Sequence, residues 1–124
     1  MKEQILLKEE VFKVVGCAFE VMKHVGHGFN EKTYENALTY EMELQKVPYD
    51  QQKSFDVIYK GKKVSEFIPD IIVYNSIILE LKVIDKIGDE QRGQVLNYLK
   101  VTKNRVAIIL NFKNSKLEWE RLVL

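Results

Sequence analysis

Two apolar segments separated by only three residues constrain the fold of this chain most strongly. Residues 67–73 and 77–84 each have the composition of a β-strand, and Tyr74-Asn75-Ser76 connects them. Both segments are apolar at nearly every position instead of at alternate positions, which is typical of strands that are covered on both faces. The sequence therefore predicts a β-sheet with helices packed on its two sides.

Three further segments have the periodicity of helices suited to cover this sheet. In the first, apolar residues recur at steps of three and four, which indicates an amphipathic helix. The second opens at Asn30, a favourable N-cap residue, and Phe29 and Tyr34 are placed to pack together as a hydrophobic staple. The third opens at Gly88 or Asp89. The predicted helices cover about residues 5–25, 30–44 and 89–101.

Strand-like periodicity is also found before the apolar pair and after the third helix. Lys60-Gly61-Lys62 is a strong signal for a hairpin turn, and the strand that follows it is expected to continue unbroken to residue 73. The order of helix, helix, three meandering strands, helix, strand and strand predicts a single α/β domain over residues 1–124. Its helices flank a mixed sheet of about four to five strands. The predicted strands cover residues 54–59, 63–73, 77–84, 105–112 and 117–124.

Three polar residues interrupt the two apolar strands: Asp70, Glu80 and Lys82. Glu80 and Lys82 are two residues apart and therefore point to the same face of their strand, about 7 Å from each other. A three-residue connection brings Asp70 opposite Glu80, with Cβ atoms about 5 Å apart, whereas a two-residue turn would place Asp70 on the other face. Like charges at that distance repel each other, so either Lys82 or a bound divalent cation must offset the repulsion.

Other polar residues lie near this cluster in the predicted fold. Glu31 is in the first turn of the second helix and leans toward its core-facing stripe, where the positive helix N-terminus keeps the carboxylate ionised. Gln94 and Tyr98 are four residues apart and flank the apolar stripe of the third helix. Plainer interpretations stay open. The strand residues also fit a surface ion-pair cluster, Glu31 fits complementation of the helix dipole, and Gln94 fits a solvated side chain.

The net charge gives this chain no general attraction to nucleic acid. It has 19 Lys and Arg residues against 18 Asp and Glu residues, and a net charge of +1, so any basic contact surface must be local. Cys17 is the only cysteine, which excludes an intramolecular disulfide and a cysteine-rich zinc site. No segment approaches the roughly 18 apolar residues of a membrane span, and the first residues lack a signal-peptide pattern. A cytoplasmic protein without membrane contact is expected.

Four motifs along the chain resemble those of one protein family in their order and spacing. The first reads G-x-x-E-x-x-Y, and the second combines P-D with a later E-x-K. From about residue 11 to residue 124, the chain resembles the small GxxExxY family of the PD-(D/E)XK nuclease superfamily. The motifs are Gly28-Phe29-Asn30-Glu31-Lys32-Thr33-Tyr34, Pro69-Asp70 with Glu80-Leu81-Lys82, Gln94 with Tyr98-Leu99, and Asn111-Phe112.

The resemblance implies a restriction-endonuclease-like fold with an αβββαβ core and a divalent-metal site. By that analogy Asp70 and Glu80 hold Mg²⁺ or Mn²⁺, and Glu31 helps through a direct or water-mediated contact. Tyr34, the tyrosine of the first motif, supports the site. A cation held in this way lowers the pKa of its bound water and polarises a phosphoryl oxygen.

The resemblance also implies roles for three residues beside the metal. Lys82 positions or activates the attacking water and stabilises charge on the phosphate, Gln94 orients the substrate or the lysine, and Tyr98 supports Gln94. The expected function is metal-dependent hydrolysis of nucleic acid, with DNA as the first choice of substrate. The alternative is a non-catalytic interaction or regulatory module that retains the fold. A homodimer is one option, because so small a nuclease domain would need a second copy to grip or cut both strands.

Overall fold

The computed structural model of this protein describes residues 6–124. These residues form three α-helices and seven β-strands, and none of the helices is both long and apolar enough to cross a bilayer. The helices are α1 (Lys8–Val25), α2 (Glu31–Leu44) and α3 (Asp89–Thr102). The strands are β1 (Tyr49–Asp50), β2 (Phe55–Tyr59), β3 (Lys62–Phe67), β4 (Ile71–Val73), β5 (Ile77–Lys82), β6 (Val106–Asn111) and β7 (Glu118–Val123).

Five of these strands form one mixed sheet in the order β1-β4-β5-β6-β7. The β5–β6 pair is parallel, and the other pairs are antiparallel. β5 and β6 lie at inner positions and are buried at almost every residue, which explains their continuous apolar sequence. The predicted α/β fold with a mixed sheet is confirmed.

Helices cover both faces of the sheet, as the sequence predicts. α1 and α2 pack on the face that carries Leu79. α3 packs on the opposite face, where Val95 and Ile78 share a second apolar core. Because successive strand residues point to opposite faces, Glu80 and Lys82 lie on the face that carries Ile78 and α3.

The start of α2 follows from its local sequence. Asn30 Oδ1 accepts a hydrogen bond from the backbone N–H of Thr33 at 3.0 Å, as expected of an N-cap residue. Phe29 and Tyr34 pack edge to face, with ring centroids 6.4 Å apart, and form the predicted staple. Both predictions for this helix start are confirmed. The predicted start of the first helix near Ile5 lies outside the described residues.

The predicted strand 63–73 is wrong, because the structure divides it between two sheets. β3 ends at Phe67, and β4 begins at Ile71. Pro69 has no N–H to donate to a sheet ladder, and the N–H of Asp70 donates to the side chain of Glu80 instead of to a backbone carbonyl. β2 and β3 form a separate two-stranded sheet, so the three strands do not meander through one sheet as predicted.

The structure also differs from the prediction at the hairpin turn and at the first strand. Lys60 and Gly61 have φ angles of 49° and 83°, and Tyr59 pairs with Lys62, which defines a two-residue loop. Lys62, predicted as a turn residue, is therefore the first residue of β3. β1 was not predicted, because its two residues are too few for a periodic pattern.

Candidate active site

Asp70 and Glu80 face each other beside the end of the β4–β5 ladder. The ladder pairs Val73 with Ile77 and continues in register to Ile71. The next position in that register brings Asp70 opposite Glu80. The register predicted from the three-residue connection is confirmed, so the two carboxylates lie on one face of the sheet.

Backbone N–H groups hold the two carboxylates in a crosswise arrangement. The N–H of Asp70 donates to Oε2 of Glu80 at 3.1 Å. The N–H of Leu81, the residue after Glu80, donates to Oδ2 of Asp70 at 2.9 Å. These two hydrogen bonds hold each carboxylate against the neighbouring strand, so neither side chain can rotate freely into solvent.

Burial makes ionisation of this carboxylate pair costly. Glu80 is only 6% exposed, and burial first and the charge of Asp70 second raise its pKa to about 7. Burial is also the largest cause of the raised pKa of Asp70. Among residues 6–124, neither carboxylate forms an ion pair with a lysine or arginine. Two carboxyl groups that have no cationic partner among these residues and are costly to ionise provide hard oxygen donors, and such a ligand set fits a divalent cation.

Lys82 lies on the same face as Glu80, at the last position of β5. Its positive charge lowers the pKa of both carboxyl groups, which opposes the effect of burial. Its Nζ donates a hydrogen bond to Oε1 of Gln94 at 3.3 Å, which links the strand end to α3. The structure therefore brings the predicted lysine and glutamine into contact beside the carboxylates.

Tyr98 lies on α3, one helical turn after Gln94. Burial raises the pKa of its hydroxyl, and the negative charges of Glu80 and Asp70 raise it further. Its ring stacks on Phe67 with centroids 4.0 Å apart, so it joins the β2–β3 hairpin to the site. Phe67 was not singled out from the sequence. The available signal was an aromatic residue at the end of a mainly polar strand, two residues before Pro69.

Glu31 does not join the carboxylate pair in this structure. It is exposed in the first turn of α2, and its negative charge is the smallest of the causes that shift the pKa of Glu80. Within the described residues, no group of three or more His, Cys, Asp and Glu side chains is placed to hold one metal ion. Two of the three predicted metal-binding carboxylates are therefore together, and the third is near enough only for its charge to act.

Tyr34 stabilises the connection between α1 and α2. It is fully buried, and its hydroxyl donates to the carbonyl of Gly26 at 2.8 Å and accepts from the N–H of Phe29 at 3.2 Å. Its ring stacks on Phe112 with centroids 4.5 Å apart. These contacts fix the start of α2, and through it the place of Glu31, but they do not involve the Asp70–Glu80 pair.

Asn111 holds the segment that leaves β5, a role the sequence did not reveal. It is buried at the end of β6, directly beside Lys82 in the parallel ladder. Its side chain accepts from the N–H of Ile84 at 3.1 Å and donates to the carbonyl of Ile84 at 2.9 Å and to Glu118 at 2.8 Å. The backbone beyond Lys82 is thereby tied to the sheet, which restricts where the lysine can point.

Known proteins share this fold. A family model described as the PD-(D/E)XK nuclease superfamily matches residues 8–122. A solved structure described as "Crystal structure of SSO0001" is similar to this chain with a TM-score of 0.52 and 13% sequence identity, over 94% of this chain and 78% of that chain. That likeness concerns the fold alone. No curated protein matches the sequence. The restriction-endonuclease-like fold implied by the sequence motifs is confirmed.

Proposed function

The chain belongs to the PD-(D/E)XK nuclease superfamily, and from that premise we propose that it is a divalent-metal-dependent phosphodiesterase that hydrolyses nucleic acid, with DNA as its substrate. The observation that supports this proposal most is the Asp70–Glu80 pair. Backbone N–H groups hold the two carboxylates together, although burial raises the pKa of each. Such costly placement of ionisable groups is typical of functional sites.

In this proposal the metal site is formed by Asp70 and Glu80, and Glu31 at the start of α2, which does not join the pair, contributes through a water-mediated contact or through its charge. Carboxylate oxygens are ligands that Mg²⁺ and Mn²⁺ prefer. When bound, such a cation polarises a phosphoryl oxygen and makes water more acidic. The two carboxyl groups would then be ionised at neutral pH, because an opposite charge nearby lowers the pKa of each.

Lys82 supplies the positive charge that hydrolysis needs beside these carboxylates. The oxygen of a water molecule bonds to phosphorus, the bond from phosphorus to the leaving oxygen breaks, and the leaving oxygen takes up a proton. The Nζ of Lys82 would orient the attacking water by a hydrogen bond and offset the negative charge that grows on the phosphate. Gln94 accepts a hydrogen bond from this Nζ and is a positioning residue for it. Tyr98, stacked on Phe67, supports the neighbouring surface of α3.

A cleavage assay on labelled nucleic acids tests the proposal. The panel contains duplex, branched and single-stranded DNA and RNA, each with Mg²⁺, with Mn²⁺ or with a chelator. We expect the native chain to cleave DNA only with a cation. Lys82→Ala should lose about 100-fold in rate or more, since groups that stabilise developing charge contribute on that scale. Lys100→Ala removes an exposed lysine of α3 and, as the matched control, should cleave at the native rate.

Two outcomes of this assay would contradict the proposal. Cleavage that survives Lys82→Ala at the native rate would identify a contaminating nuclease as its source. A native chain that cleaves no substrate and binds neither cation would favour the alternative function, a non-catalytic interaction or regulatory module that retains the nuclease-like fold.

A further inference from the structure

The outward face of α1 carries large apolar side chains that nothing in the described chain covers. Phe12 is 73% exposed and Phe19 is 50% exposed. Together with Trp119 of the edge strand β7, they line an apolar groove of about 280 Å³. An apolar cavity of about 150 Å³ is large enough to hold benzene, so this groove has room for an aromatic ring. Contiguous exposed apolar surface is the kind of surface at which proteins bind partners.

Gly16 lies between the two phenylalanines on this face. A Cβ atom added there would meet no heavy atom within 4 Å outside its own helix backbone, so no tertiary contact within residues 6–124 requires a glycine. Glycine in the interior of a helix lowers stability relative to alanine. A glycine at the outermost point of an exposed helix face permits the close approach of a second helix, because the distance between two packed helices depends on the side chains at the contact.

The charges along α1 show which kind of helix fits this face. Glu9 and Lys13 lie in the first half of the helix, and Glu20 and Lys23 lie in the second half. Among residues 6–124, no ion pair involves Glu9, Lys13 or Lys23, while Glu20 contacts His24 at 2.8 Å. A copy of α1 laid antiparallel with its centre at Gly16 would bring each acidic residue of this set opposite a lysine.

We propose that α1 packs antiparallel against α1 of a second copy of this chain, about a two-fold axis that passes Gly16. In that arrangement Phe12 lies opposite the partner's Phe19, Lys13 opposite the partner's Glu20, and Glu9 opposite the partner's Lys23. In each pair, the position halfway between the two residues along the helix lies at or beside Gly16. A two-fold interface must be complementary to itself, and the order of the charges along this helix face meets that condition.

The groove beside β7 completes this interface. Under the two-fold axis, the phenylalanines of both copies lie on the same side of the helix pair, which is the side of Trp119 in each copy. The aromatic side chains of the two α1 helices would therefore enter the grooves of the opposite chains. None of these residues belongs to the Asp70–Glu80 site, so the inference does not depend on the proposed function.

Sedimentation of the full chain over a wide range of concentration, combined with charge-swap variants, tests the inference. The native chain should sediment as a dimer that dissociates on dilution. Lys13→Glu and Glu20→Lys each replace two attractive contacts per dimer with repulsive ones, and each should raise the dissociation constant by about tenfold. The double variant restores opposite charges across the axis and should return the dissociation constant to near the native value. Lys100→Glu, the same charge change on α3, is the matched control and should leave it unchanged.

Gly16→Leu provides a test that does not depend on charge. Because Gly16 is exposed and a Cβ atom there has open space, the variant should keep the native circular dichroism spectrum and become monomeric. A native chain that stays monomeric at every concentration would overturn the proposal and leave the groove to a partner of another kind. A dimer that neither single charge variant weakens, or that the double variant does not restore, would also overturn it.

Discussion

Glu80 is a buried carboxyl group that faces a second carboxyl group, so the folded chain binds its proton more tightly than the unfolded chain does. Its pKa rises from the ordinary value of 4.5 to about 7, through burial first and the charge of Asp70 second. Between these two values the folded state carries more protons on this group than the unfolded state. In the absence of metal, the free energy of unfolding must therefore fall as the pH rises through this window.

Glu80→Gln should remove this pH dependence. One pKa unit corresponds to about 1.4 kcal/mol, so the native chain in chelator should lose on the order of 2–3 kcal/mol from this group between about pH 5 and about pH 8. Urea unfolding at the two pH values measures the loss. The variant should be more stable than the native chain at the higher pH. Glu90→Gln, which neutralises an exposed carboxylate of α3, should keep the native profile. If Glu80→Gln also kept it, the raised pKa would be disproved.

The facing carboxylates could be predicted from the sequence, but their burial could not. The odd number of residues in Tyr74-Asn75-Ser76 fixes which residues of the two strands share a face, and this depends only on the period of a β-strand. Whether Glu80 is covered depends on the approach of α3 and of the β2–β3 hairpin, which is a tertiary feature. For the same reason, the hydrogen bonds of Asn111 to the segment after β5 were not predictable.

At the scale of the elements, the sequence predicted the three helices of residues 6–124 but misread one strand and missed the short strand β1. Helix starts depend on local residues such as Asn30, whose side chain caps α2 in the structure. The prediction of one strand through Pro69 is wrong. It followed the apolar composition of the segment, whereas the missing N–H of that proline interrupts the hydrogen-bonded ladder of a sheet. The break has a consequence for the site, because it frees the N–H of Asp70 to hold Glu80.

Two helix-interior glycines allow a controlled test of whether α1 packs against a second copy of the chain. Gly16 in α1 and Gly93 in α3 both have open space where a Cβ atom would lie. At concentrations where the chain is monomeric, Gly16→Ala and Gly93→Ala should each raise the free energy of unfolding by about 0.5–1 kcal/mol, because alanine loses less backbone entropy. Only Gly16→Ala should also weaken dimerisation. Chemical unfolding and sedimentation of the two variants measure both effects, and equal dimerisation in the two variants would argue against close helix contact at Gly16.

At the scale of the whole molecule, the proposed metal site would link metal binding to protonation and to folding. A cation that binds only the folded chain adds to its stability in proportion to the logarithm of the cation concentration. Because Glu80 must release its proton to act as a ligand, the affinity for the cation should increase as the pH rises through about 7. The site that lowers stability in the empty chain is therefore expected to raise it when a cation is present.

Calorimetric titration with Mn²⁺ and Mg²⁺ tests the Asp70–Glu80 metal site most directly. The native chain is compared with Glu80→Gln and Asp70→Asn, which keep the size of each side chain but remove its charge, and with Glu90→Gln as the control. At a pH of about 8, where both carboxyl groups can ionise, we expect binding by the native and control chains and none by the two site variants. A native chain that binds neither cation, with or without DNA, or site variants that bind as the native chain does, would contradict the assignment.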